Sequence, residues 1–135
     1  MKPLAWAAGM AALAMADRIC NGHLCDAYNN DHLVADYQFG IYKNTRWSYE
    51  TLDDVATMNT AGYFSAANNT TNKRRVQIGD EILATVWTTA LPAGGHPVET
   101  DVIAARALLV VVQVDDDTGV IDVSNGDSRT LTDSD

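Results

Sequence analysis

Basic residues are scarce in this chain. Nine Lys and Arg stand against 18 Asp and Glu, giving a formal net charge of -9 and an isoelectric point near 4.5. Such a surface repels a phosphate backbone on average, so nucleic acid is not an expected partner. The one concentrated basic patch, Lys73-Arg74-Arg75, is three residues long and lies in a polar loop, where it reads as a solvated turn or an ion-pair site for an acidic neighbour. Apolar runs are short as well, and none reaches the roughly 20 residues that a membrane-spanning helix needs, so no membrane is expected either. Internal repeats are absent. Cysteine is limited to Cys20 and Cys25.

Reactive constellations are equally thin. Cys20, His23, Cys25 and His32 can be written as a zinc set, because zinc takes four sulfur and nitrogen ligands in a tetrahedron. Their C-x2-H-x-C-x6-H spacing departs from the familiar fingers, and the single residue between His23 and Cys25 makes joint ligation awkward. Asp80 and Glu81 are adjacent, but neighbouring residues on a strand point to opposite faces, which favours a turn acid over an acid/base pair. His96 has no partner that local spacing supplies, and Gly94-Gly95 lacks the following helix and Lys or Ser of a phosphate loop. Asp115-Asp116-Asp117-Thr118-Gly119 lacks the alternating acids and distal Glu of an EF-hand, so it reads as a solvated turn. No enzymatic activity and no cofactor are therefore expected.

What is present is a chain of 135 residues, 47% hydrophobic and 20% charged, long enough for one domain with its own core. Residues 1–16 begin with Lys2, continue as an Ala, Leu, Met and Trp-rich run, and end in Ala14-Met15-Ala16 before Asp17. That pattern fits a cleavable export signal, after which Cys20 and Cys25 would pair in an oxidising compartment. The reading adopted is the other one, an apolar arm that stays on the protein and must be covered by its own core or a neighbour. Tyr37, Phe39 and Ile41 alternate with polar residues and Gly40, which predicts a strand with one buried aromatic face.

Thr51 precedes Leu52, Val55 and Met58 at helical spacing, predicting a helix of two to three turns closed by Asn59, Thr60 and Gly62. Tyr63 and Phe64 follow that stop. Residues 76–91 read as strand, bend at Gly79-Asp80, and strand; residues 98–114 as a strand buried on both faces or at a subunit boundary; residues 120–123 as the return of a hairpin. Residues 124–135 form an acidic tail. The expected architecture is a single mainly-β domain over residues 1–135, a small barrel or sandwich with one short helix at about 51–59 and an extended N-terminal arm.

The order of signals in the middle of the chain carries a resemblance. Leu52, Asp54, Val55 and Ala56, then Ala61-Gly62-Tyr63-Phe64, then a polar loop, then Val76, Ile78-Gly79-Asp80 and Ile82 resemble small virion proteins of tailed bacteriophages, of the head decoration, cement or head-fibre type. The resemblance implies a structural protein at the capsid surface of the virion, bound to the major capsid protein where capsomers meet, as a homotrimer or other homo-oligomer, with no catalytic residues. On that expectation the contacts with neighbours fall to the arm residues Leu4, Trp6 and Leu13, the aromatic pair Tyr63 and Phe64, and Arg74 and Arg75.

Overall fold

A computed structural model describes residues 19–20, 23–24, 28–69, 71–93, 96–115 and 117–130, the backbone alone for 19–20, 23–24 and 125–130. Two short strands, β1 (Ile19–Cys20) and β2 (His23–Leu24), pair with each other. The main sheet has five strands in sequence order: β3 (Leu33–Phe39), β4 (Asn44–Thr51), β5 (Glu81–Trp87), β6 (Ile103–Val114) and β7 (Ile121–Thr130). All neighbours are antiparallel except β4 and β5, which run parallel. The molecule is thus mainly β, as the sequence indicates, and its sheet is open.

The parallel pair dictates the second layer. A parallel connection cannot be a tight turn and must cross over the sheet. Residues 52–80 make that crossing, and they lie on the face presented by Trp47, Tyr49, Ile82, Ala84, Val86, Ala107, Leu109, Val111 and Ile121. Met58, Tyr63, Phe64, Ala67 and Val76 come down from the crossover to close the core. The opposite face carries the alternate residues, including Ser48, Leu83, Thr85 and Leu108, all buried less deeply apart from Thr85.

Within the crossover, helix α1 (Val55–Met58) is a single turn. Its N-cap is Asp54, whose carboxylate accepts from the Thr57 amide at 2.8 Å; Thr51 instead ends β4 and accepts from the Asp53 amide at 2.9 Å. The asparagine-rich loop is organised by side chains that imitate backbone. Asn68 both donates to the Val76 carbonyl and accepts from the Val76 amide, each at 2.8 Å, while Asn69 accepts from the amides of Thr71 and Asn72. Those bonds take the place of the predicted strand at residues 76–78, and β5 begins at Glu81.

Asp80 is 1% exposed and accepts four hydrogen bonds. Oδ1 takes Asn44 Nδ2 and the Thr45 amide, both at 2.9 Å, and Oδ2 takes Trp47 Nε1 at 2.9 Å and the Gln77 amide at 3.0 Å. The turn acid foreseen from the sequence is therefore a buried junction between β4 and the end of the crossover. Removing a buried carboxylate strands its donors without partners. Asp80→Ala should lose about 3–5 kcal/mol of unfolding free energy in urea titrations, and Asp80→Asn less, because one acceptor oxygen remains. A loss below about 1 kcal/mol for the alanine variant would show that the donors find other partners.

Candidate functional site

The β3–β4 hairpin turns through residues 40–43, with Gly40 at φ 77° and Lys43 at φ 56°, which lifts Ile41 and Tyr42 off the sheet. They are 84% and 79% exposed. Asn44, the first residue of β4, donates to the Ile78 carbonyl at 2.8 Å and so holds the hairpin tip against the turn that closes the crossover. Gly79 is the required residue there: its φ is 92°, and a Cβ would sit 3.0 Å from the Asn44 side-chain amide. Its amide donates to the Val111 carbonyl at 2.8 Å, and the Val111 amide donates back to the Asp80 carbonyl at 2.9 Å.

Two exposed residues flank that exchange. Ile78 precedes Gly79 and is 59% exposed. Val112 lies where the β6–β7 register shifts between Val111 and Gln113, and the bulge leaves it 51% exposed. Ile41, Tyr42, Ile78 and Val112 are thus four large apolar side chains brought to one end of the sheet, on backbone tied to Asp80.

Strand β3 extends this surface along the sheet edge. The sequence predicts a buried aromatic face here, but Tyr37 is 54% exposed, Ile41 belongs to the turn, and only Leu33 is buried. The physical reason is position: β3 is an edge strand, and past Leu33 the crossover layer does not cover it. A bulge at Asp36 interrupts its register, and the Ser48 hydroxyl donates to the Asp36 carboxylate there. Arg46 is salt-bridged to Glu81 at 2.7 Å and lies 5.8 Å from the Tyr37 ring centroid, giving that aromatic a cationic backing.

Tyr63 and Phe64, expected at a contact with neighbours, are instead core residues. Phe64 is fully buried, with ring centroids of Tyr63, Tyr49 and Tyr28 at 4.9, 5.2 and 5.6 Å. The turn at Gly62, φ 79°, folds the pair back under the crossover, which the sequence leaves open because an aromatic pair after a helix stop fits either use. Tyr63 donates to the buried Asp53 carboxylate, its hydroxyl lies 2.9 Å from that of Tyr49, and the Asn29 amide donates to the Tyr49 hydroxyl at 3.0 Å. Arg74 turns inward as well, donating from Nε and Nη2 to Asn30 at 3.2 and 3.0 Å. Arg75 is exposed, in a left-handed conformation at φ 63°. Leu4, Trp6 and Leu13, and Cys25 with the side chains of Cys20 and His23, lie outside the described residues.

The remaining carboxylate candidate is spent locally. Asp115 accepts from the amides of Thr118 and Asp117, at 3.1 and 2.9 Å, and these bonds hold its carboxyl below the usual range. Strand β7 continues to Thr130, so residues 124–130 of the expected tail are paired with β6. Among the described residues no helix is long and apolar enough to cross a membrane. No known protein family, characterised protein or solved structure matches the chain.

The tyrosine cluster makes a prediction at alkaline pH. Burial, more than any neighbour, pushes the phenols of Tyr49 and Tyr63 above their ordinary value of 10, and the Asp53 carboxylate raises both further. A raised folded-state value means the unfolded chain releases these protons first, so the stabilisation is complete below pH 10 and falls as pH rises beyond it. Unfolding free energy should drop by up to about 1.4 kcal/mol per pH unit for each of the two phenols above that point. Urea midpoints measured across this range should show the slope, and a Tyr49→Phe/Tyr63→Phe chain should reduce it to the part contributed by Tyr28, whose phenol burial also raises. Equal slopes in the two chains would place the alkaline sensitivity elsewhere.

Proposed function

We propose that the protein is a non-enzymatic structural virion protein that binds the outer surface of a phage capsid at capsomer junctions and stabilises it there as a homotrimer or other homo-oligomer. The observation that carries this reading is the apolar end of the sheet. Ile41, Tyr42, Ile78 and Val112 stand out from an acidic molecule on backbone fixed by the Asp80 junction. Isolated exposed apolar residues are ordinary, but several gathered on one rigid end fit a contact with another protein. The resemblance of residues 52–82 to decoration and cement proteins supplies the class of partner, the major capsid protein.

The mechanism follows from burial. Each Å2 of apolar surface removed from water contributes about 25 cal/mol, and a standard interface covers about 1,600 Å2. A preformed docking end loses little conformational entropy on binding, so more of that gain survives as affinity. Repeated over a lattice of equivalent junctions, modest contacts sum to a shell that resists internal pressure. The net charge of -9 keeps many copies soluble before assembly.

The test begins with phage particles that carry this chain. Particles stripped of it should release DNA at a lower temperature than intact ones, and adding back the purified protein should restore the difference. A chain with Ile41→Ser and Tyr42→Ser should keep its unfolding free energy within about 0.5 kcal/mol of the parent, because both residues are exposed, yet fail to restore the particles. Stripped particles as heat-resistant as intact ones, or full rescue by the double variant, would contradict the proposal.

A further inference from the structure

The opposite end of the sheet carries a different feature. There the last residues of β4 and β5, the first of β6, and Leu91, Pro92, His96 and Pro97 line a cleft of about 550 Å3, within the usual range for small-molecule sites. Trp87 and Ile103 lie on the strands, and Leu91, Pro92 and Pro97 close the loop side, so most of the lining is apolar. Four polar side chains reach the same space: Arg106, Glu50, His32 and His96.

We propose that this cleft binds a small organic monocarboxylate carrying an aromatic or branched apolar body, with Arg106 as the group that recognises the carboxylate. The strand register places Glu50, Thr85 and Arg106 side by side on β4, β5 and β6. Glu50 and Arg106 are therefore two strand spacings apart at the backbone, about 10 Å, and no ion pair joins the two side chains. Glu50 is committed elsewhere, since its Oε1 accepts Trp87 Nε1 at 2.6 Å. Arg106 donates from Nε to Thr85 Oγ1 at 3.2 Å, which fixes the root of the guanidinium; among the described residues its terminal amino groups meet no carboxylate.

A planar cation beside an indole and a prolyl wall fits a bidentate carboxylate with a hydrophobic tail. The fixed charge of Glu50 on the other side of Thr85 opposes a dianion, so the same geometry disfavours inorganic phosphate.

The site can be tested by nuclear magnetic resonance on the full chain, following the Trp87 indole N–H, assigned with Trp87→Phe. N-acetyl-L-phenylalanine should shift this signal in a saturable way. Its uncharged amide and inorganic phosphate should each bind at least tenfold more weakly. Arg106→Gln should reduce affinity for the acid tenfold or more, equivalent to about 1.4 kcal/mol, with Arg106→Lys between it and the parent. Equal binding of acid and amide would reduce the cleft to a hydrophobic trap. Equal binding of phosphate would make Arg106 a general anion contact. No saturable shift up to the solubility limit of the acid, or an Arg106→Gln chain that binds as tightly as the parent, would also overturn the proposal.

Discussion

The carboxylate of Asp80 is the constraint on which the rest of the architecture depends. It is buried, and a buried carboxylate is tolerated only when hydrogen bonds replace the water it has lost. All four of its contacts come from protein groups: the Asn44 side chain, the amides of Thr45 and Gln77, and the Trp47 indole. These groups belong to the start of β4 and the end of the crossover, segments far apart in sequence. One side chain thereby fixes where the parallel strand β5 begins, how the hairpin tip sits, and how Val111 of β6 is received through the backbone of residues 79 and 80.

Two ends of one sheet then acquire different characters. At the Asp80 end the carboxylate is consumed internally, and Ile41, Tyr42, Ile78 and Val112 stand exposed beside Lys43, Gln77 and Gln113. At the other end the strands finish against a loop containing Pro92 and Pro97, and polar side chains are left facing an open cleft. The first end suits a contact with a large, flat partner and the second a small molecule, so the two proposals use separate parts of the molecule. Between them the aromatic cluster of Tyr28, Tyr49, Tyr63 and Phe64 holds the crossover to the sheet by edge-to-face and stacked contacts.

Much of the strand content was legible because period-two alternation and turn chemistry are local. The Asp115 to Gly119 turn, the strand ending at Val114 and a short helix within 51–59 follow from neighbouring residues, although the helix is one turn at Val55–Met58 and not the two to three expected after Thr51. The parts that were not legible are settled at a distance. Whether Tyr63 and Phe64 face inward depends on the Gly62 turn and on Tyr28 and Tyr49 arriving from another part of the chain. Whether Tyr37 is buried depends on how far the crossover layer extends, which no window of β3 encodes. Residues 76–78 have strand composition, yet Asn68 captures the Val76 backbone, and a side-chain bond across eight residues leaves no periodic trace. Asp80 itself had a signal, an acid directly after glycine between Ile78 and Ile82, but its partners could be named only once β4 was placed beside it. The row from Glu50 to Arg106 was invisible for the same reason, since it exists only in the register of three strands.

Hydrogen exchange tests the central claim most directly. If the Asp80 junction is the lock of this fold, the amides of Thr45 and Gln77 and the indole N–H of Trp47 should exchange only when the whole domain unfolds, at the free energy shown by core amides such as Ile82 and Leu109. If those three protons exchange through a local opening while the core amides stay protected, the junction is an ornament on a sheet held together by other means.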